Sequence, residues 1–138
     1  MVRKFTSLDD PALIAILQQG GVGVIPTDTV YGLVAPTTYL LAIAKLYQIK
    51  HRDHPPGTLI AASIDQLANL GFDSADLKRA QFYWPNPLSV ILNASDVPMS
   101  IRADRQSLPV RIPAHEPLTR LLRNVGPLMT TSANPPGL

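Results

Sequence analysis

Cysteine is absent from the 138 residues. That excludes disulfides, thiolate-ligated zinc and a cysteine nucleophile together, and it fits a cytoplasmic setting. Charge is scarce as well: charged residues make up 16% of the chain and the net charge is +2. So mild a balance does not by itself indicate a nucleic-acid binder. Aromatic residues are only 6%, and no basic run resembles an RNA-contacting arm. No apolar run approaches the roughly 20 residues needed to cross a bilayer, so no membrane partner is expected. The N-terminus, MVRKFTSLDD, lacks the apolar core of a secretory signal. There is no Gly-x-Gly-x-x-Gly, no phosphate loop ending in Gly-Lys-Ser/Thr, and no nucleophile elbow. His51 and His54 lie in a Pro-rich loop, read as solvated rather than as ligands, His115 is far from them in sequence, and no metal site is expected on the protein.

What is present is a hydrophobic content of 46% with 14 prolines. This composition belongs to a globular chain, and its length to a single domain over 1–138. Ser7 or Asp9 is expected to cap a helix with Pro11 in its first turn, ended by Gly20 and Gly21. Val22 to Ile25 reads as a buried strand, ended by Pro26. Helices are expected over Leu40 to Ile49, from a Ser63 or Asp65 cap, over Asp73 to Trp84, and over Pro117 to Val125. Further strands are expected at Leu59–Ala62, Leu88–Leu92, Leu108–Ile112 and Leu128–Ser132, with a loop from Asn93 to Ser107. Strands mixed with helices imply an α/β or α+β sheet with helices packed on it.

Three places carry polar groups suited to chemistry. Thr27, Asp28 and Thr29 set two hydroxyls around a carboxylate at a strand end, which is either a tight turn or a binding loop. Lys50 and Arg52 are two apart, as are Ser132 and Asn134, and residues two apart in extended chain point the same way. An ammonium, a guanidinium, a hydroxyl and a carboxamide could together hold a polyphosphate. Taken singly, the first pair also suits a solvated helix end and the second a turn before Pro135. Arg111 sits in the apolar run LPVRI, where a charge is costly unless paired. It is either surface-facing on an edge strand or turned inward toward a carboxylate.

The segments GGVGVIPTDTVYGL, LYQIKHR, FYWPNPLSVIL, LPVRIPAHEPLTRLL and GPLMTTSANPPG occur in that order. This series resembles the YrdC/Sua5 family, the threonylcarbamoyl-AMP synthases of tRNA modification, from about Gly20 to the last residue. The resemblance implies an α/β fold, a twisted open mixed sheet with helices packed on it and a basic concave cavity. It implies a nucleotidyltransferase that makes threonylcarbamoyl-AMP and pyrophosphate from L-threonine, bicarbonate and ATP, with Mg2+ accompanying the triphosphate. A separate transfer complex would then pass the group to an adenosine beside the tRNA anticodon. By the same resemblance Lys50, Arg52, Ser132 and Asn134 form the catalytic and ATP-binding tetrad in one cavity, and Thr29, Arg111 and Thr130 bind threonine. Family members have also been linked to double-stranded RNA. An RNA-binding module, or a paralogue without turnover, is therefore the alternative.

Two departures stand out. Asp53-His54-Pro55-Pro56-Gly57-Thr58 differs from the residues that usually follow the basic pair, and Ala61 and Ala62 stand where some members carry a histidine. Family domains also continue for roughly fifty residues beyond Ser-x-Asn, the size of a supersecondary unit. The domain is therefore expected to be incomplete at its C-terminal end, as either a natural short form or a truncated one. With only Pro135, Pro136 and Gly137 to pin the Ser132–Asn134 segment, threonine is expected to bind weakly but measurably, ATP more poorly, and turnover to be slow or absent.

Overall fold

The computed structural model describes residues 4–27, 31–50, 57–86 and 88–132, with backbone alone at Leu40, Tyr47, Ile49, Lys50 and Ser132. Helix α1 (Pro11–Gln18) is followed by β1 (Gly23–Pro26), β2 (Tyr31–Pro36), α2 (Leu40–Lys50), β3 (Thr58–Ile60), α3 (Ile64–Leu70) and α4 (Ser74–Ala80). A 3-10 turn (Gln81–Tyr83) leads to β4 (Val90–Asn93), α5 (Met99–Arg102), β5 (Ser107–Arg111), α6 (Glu116–Val125) and β6 (Leu128–Ser132). The six strands form one open mixed sheet in the order β1-β2-β6-β3-β5-β4. Only β3 and β5 are paired in parallel; the other neighbours are antiparallel.

Adjacent residues along the central strands enter two different cores, because strand side chains alternate between faces. Ala35, Leu59, Val110 and Met129 join one core with Ile43, Leu46, Leu67, Leu77 and Trp84. Val34, Ile60 and Leu128 join the other with Leu13 and Leu17 of α1 and Leu118, Leu121 and Leu122 of α6. Helices thus cover both faces, and the middle strands carry adjacent apolar residues, such as Leu59-Ile60 and Leu128-Met129, that enter opposite cores.

Local chemistry sets the element ends. Asp10, not Ser7 or Asp9, caps α1: its carboxylate accepts from the Ala12 N–H at 2.9 Å, while Ser7 Oγ accepts from Asp9 N–H in the preceding turn. Ser63 caps α3 and Asp73 caps α4 through the N–H groups of Gln66, Ala75 and Asp76. Gly71 ends α3 at φ 114°, a left-handed conformation that disfavours any side chain.

The strand expected at Val22–Ile25 is β1, an edge strand with Val24 56% exposed. Pro26 belongs to it, which an edge permits because one side of the strand needs no donor. Its partner β2 was not anticipated. Within the expected Asn93–Ser107 loop lies α5, a single turn. The helix expected through Trp84 instead tightens to 3-10 geometry after Ala80.

The connection β2–α2–β3 carries the chain between two parallel-running strands, with β6 inserted between them. A helix in such a crossover runs back along the sheet. The C-terminus of α2, the start of β3, the end of β6 and the β1–β2 connection therefore lie at one end of the sheet.

Candidate functional site

Strand β6 is central to the site. Val34 and Thr58 flank Thr130 on either side, Leu128 pairs with Ile60, and Ile60 pairs with Arg111. Directly opposed residues share a face. Because Val34, Ile60 and Leu128 enter the core under α1 and α6, Thr130 and Arg111 lie on that same face. So do the register positions of Gly32 and Ser132, which oppose each other across β2 and β6. From strand rise and spacing, the Cα atoms of Arg111 and Thr130 are about 12 Å apart.

Helices α1 and α6 cover only part of this face. Val34 is fully buried and Thr130 is 6% exposed, whereas Ile91, on the edge strand β4, is 71% exposed. The face is thus open at Ile91 on the β4 edge, while Thr130, two strands in from β5, and Arg111 are both buried. Arg111 is itself 6% exposed. It is therefore turned inward, and β5 is one strand in from the edge. The surface-facing alternative does not hold.

Thr130 lies diagonally across the ladder from Gly32, which directly opposes Ser132. A Cβ built on Gly32 would sit 2.5 Å from Thr130 Oγ1 and 3.4 Å from Thr27 Cγ2. The hydroxyl of Thr130 thus leans from its own row toward Gly32, in the direction of the β1–β2 connection.

The remaining expected residues divide as follows. Lys50 closes α2 and Ser132 closes β6, both at the end of the sheet where β3 begins. Helix α2 contributes Ile43 and Leu46 to the core on the opposite face. Lys50 and Ser132 therefore share a sheet end and not a helix-packed face. Thr29, Arg52 and Asn134 lie outside the described residues, as does the segment beyond Ser132.

A separate cleft of about 450 Å3 opens at the C-terminal ends of β3 and β5, lined among others by Ser63, Gln81, Trp84, Thr119 and Arg123. None of the described candidate residues lines it. It also contains Glu116, which pairs with Arg123 at 3.3 Å. Glu116 and Arg123 offset each other's charge in this wall, so the cleft offers an anionic reactant little net attraction, and the face carrying Thr130 and Arg111 is the better candidate. Among the described residues no three His, Asp or Glu side chains gather to hold a metal ion. No helix among them is long and apolar enough to cross a membrane.

Residues 15–138 match the family model for Sua5, YciO and YrdC proteins, described as "Telomere recombination". The chain belongs to this Sua5/YciO/YrdC family. A threonylcarbamoyl-AMP synthase from Thiobacillus denitrificans is 33% identical over 92% of this chain and 70% of its own length. Another, from Idiomarina loihiensis, is 36% identical over 83% of this chain and 65% of its own length. The chain thus spans about two thirds of these curated relatives. Among solved structures, P. abyssi Sua5 complexed with L-threonine superposes with a TM-score of 0.75 at 30% identity, covering 89% of this chain and 38% of that one. The Sua5/YciO/YrdC fold is therefore the open mixed sheet seen here. Sequence reading passed over Gly32 as a site residue; its signal, a glycine in YGL beside the Thr-Asp-Thr run, could have found it.

Proposed function

We propose that this chain is a threonylcarbamoyl-AMP synthase domain that joins L-threonine, bicarbonate and ATP for tRNA modification. One observation supports the reading most: a buried arginine and a buried threonine hydroxyl, Arg111 and Thr130, share a partly open sheet face. Family membership and the L-threonine complex of a related Sua5 agree with it.

In this reading Arg111 faces the threonine carboxylate and Thr130, with Thr29, holds the substrate's polar groups. The threonine amine condenses with bicarbonate to a carbamate, releasing water. A carbamate oxygen then attacks the α-phosphorus of ATP. The bond from that phosphorus to the β-phosphate oxygen breaks, and pyrophosphate leaves. Both reactants are anions, so the protein's task is to screen charge and to align them. Lys50, Arg52, Ser132 and Asn134 are assigned to the phosphates. Mg2+ enters with ATP as part of the substrate and needs no site of its own on the protein. The product passes to a separate transfer complex acting on tRNA, and the setting is cytoplasmic.

The test is pyrophosphate release by the 138-residue chain. Release that requires threonine, bicarbonate and ATP together supports the assignment. Threonine binding without release identifies a paralogue that keeps the pocket alone. RNA binding without threonine binding overturns the assignment in favour of an RNA module.

A further inference from the structure

Gly32 is buried in β2 between Ile25 of β1 and Ser132 of β6. Its φ lies outside the left-handed region, so the backbone there would accept any L residue. What excludes a side chain is space. A Cβ would meet Thr130 Oγ1 at 2.5 Å, well inside contact distance, and Thr27 Cγ2 at 3.4 Å. Thr130 is 6% exposed and its β-branched side chain has few rotamers to choose from. A methyl group at position 32 would therefore turn the hydroxyl away from the β1–β2 connection.

We propose that Gly32 is a positioning residue for threonine recognition: its missing side chain leaves the space that aims the Thr130 hydroxyl at the substrate. This rests on the reading of Thr130 as a threonine contact. Gly32 acts through Thr130 and touches no reactant itself. The consequence is a selective loss: threonine affinity falls when the hydroxyl is turned, while ATP affinity does not.

The experiment is a double-mutant cycle on the full 138-residue chain, read by calorimetric titration of threonine and of ATP and by thermal unfolding. Gly32→Ala is expected to raise the threonine dissociation constant about tenfold, with ATP affinity changed by less than about twofold. In a Thr130→Val background there is no hydroxyl to misplace. There Gly32→Ala is expected to leave the residual threonine affinity unchanged. Thr130→Ala removes the crowding atom, so Gly32→Ala should lower the melting temperature of the parent but not of the Thr130→Ala variant. That arm remains readable even where Gly32→Ala alone folds poorly. Unchanged threonine affinity in Gly32→Ala, or the same tenfold loss persisting in Thr130→Val, overturns the proposal alone. A parent chain that does not bind threonine overturns the functional reading and this proposal with it.

Discussion

Arg105 reaches back 48 positions and donates from Nη1 to the carbonyl of Gly57, 3.0 Å away. Gly57 is buried and immediately precedes β3, the strand between β6 and β5. The guanidinium thus ties the turn before β5 to the start of its parallel neighbour. A hydrogen bond from a charged donor contributes about 1.5–3 kcal/mol, and deleting it leaves a buried carbonyl unsatisfied. Arg105→Ala is expected to destabilise the chain by about 2 kcal/mol in urea unfolding, with Arg105→Lys recovering part of the loss. A midpoint unchanged in Arg105→Ala would show that the tie carries no stability.

The turn that delivers Arg105 is strained. Ala103 and Asp104 both have positive φ, 49° and 67°, a region that costs a residue with a Cβ roughly 1–2 kcal/mol. Ala103→Gly removes that cost and gives back some chain entropy in the unfolded state. The expected net is a stabilisation of about 0.5–1 kcal/mol, seen as a higher melting temperature. A lower one would mean that the Ala103 methyl makes contacts worth more than the strain.

Asp9 accepts from Arg120 Nε at 3.1 Å and Nη2 at 3.0 Å, joining the segment before α1 to α6. The hydrogen bond from Arg120 holds the Asp9 carboxyl below its ordinary 3.8. A depressed carboxylate contributes stability above the unfolded-state pKa and loses it as pH falls through the folded-state value. Asp9→Asn should therefore melt below the parent at neutral pH, and the gap should close on acidification beneath 3.8. The pair is exposed, so added salt should narrow the gap as well. A gap that persists at low pH would assign the difference to something other than this charge.

Arg111 offers the most direct check of the proposed function. Arg111→Ala is expected to weaken threonine binding by about 2–3 kcal/mol, the scale of a charged hydrogen bond. Since the side chain is buried, the variant's melting temperature must be measured alongside. Arg111→Lys keeps the charge without the paired donors and should fall between the two. Threonine affinity equal to the parent's in a folded Arg111→Ala chain rules out the role.

Sequence alone determined the elements whose signals are local. Strand β6 runs from Leu128 to Ser132, the expected bounds, directly after Pro127, and α6 buries Leu118, Leu121 and Leu122 on one stripe. Ser63, one of the two caps expected for α3, the helix start at Asp73 and the ordered motifs of the Sua5/YciO/YrdC family were legible for the same reason, since each depends on neighbours a few positions away. Strand β2 was not legible, because Gly32 and Pro36 weaken any strand signal. It exists because β1 and β6 supply its hydrogen bonds from both sides. The inward placement of Arg111 depended on β5 docking beside β3 with Arg111 opposite the buried Ile60, and the close approach of the Thr130 hydroxyl to Gly32 depended on the last strand docking beside the second. Those are contacts between distant parts of the chain. No local propensity encodes which strand lies next to which, so only the folded sheet decided them.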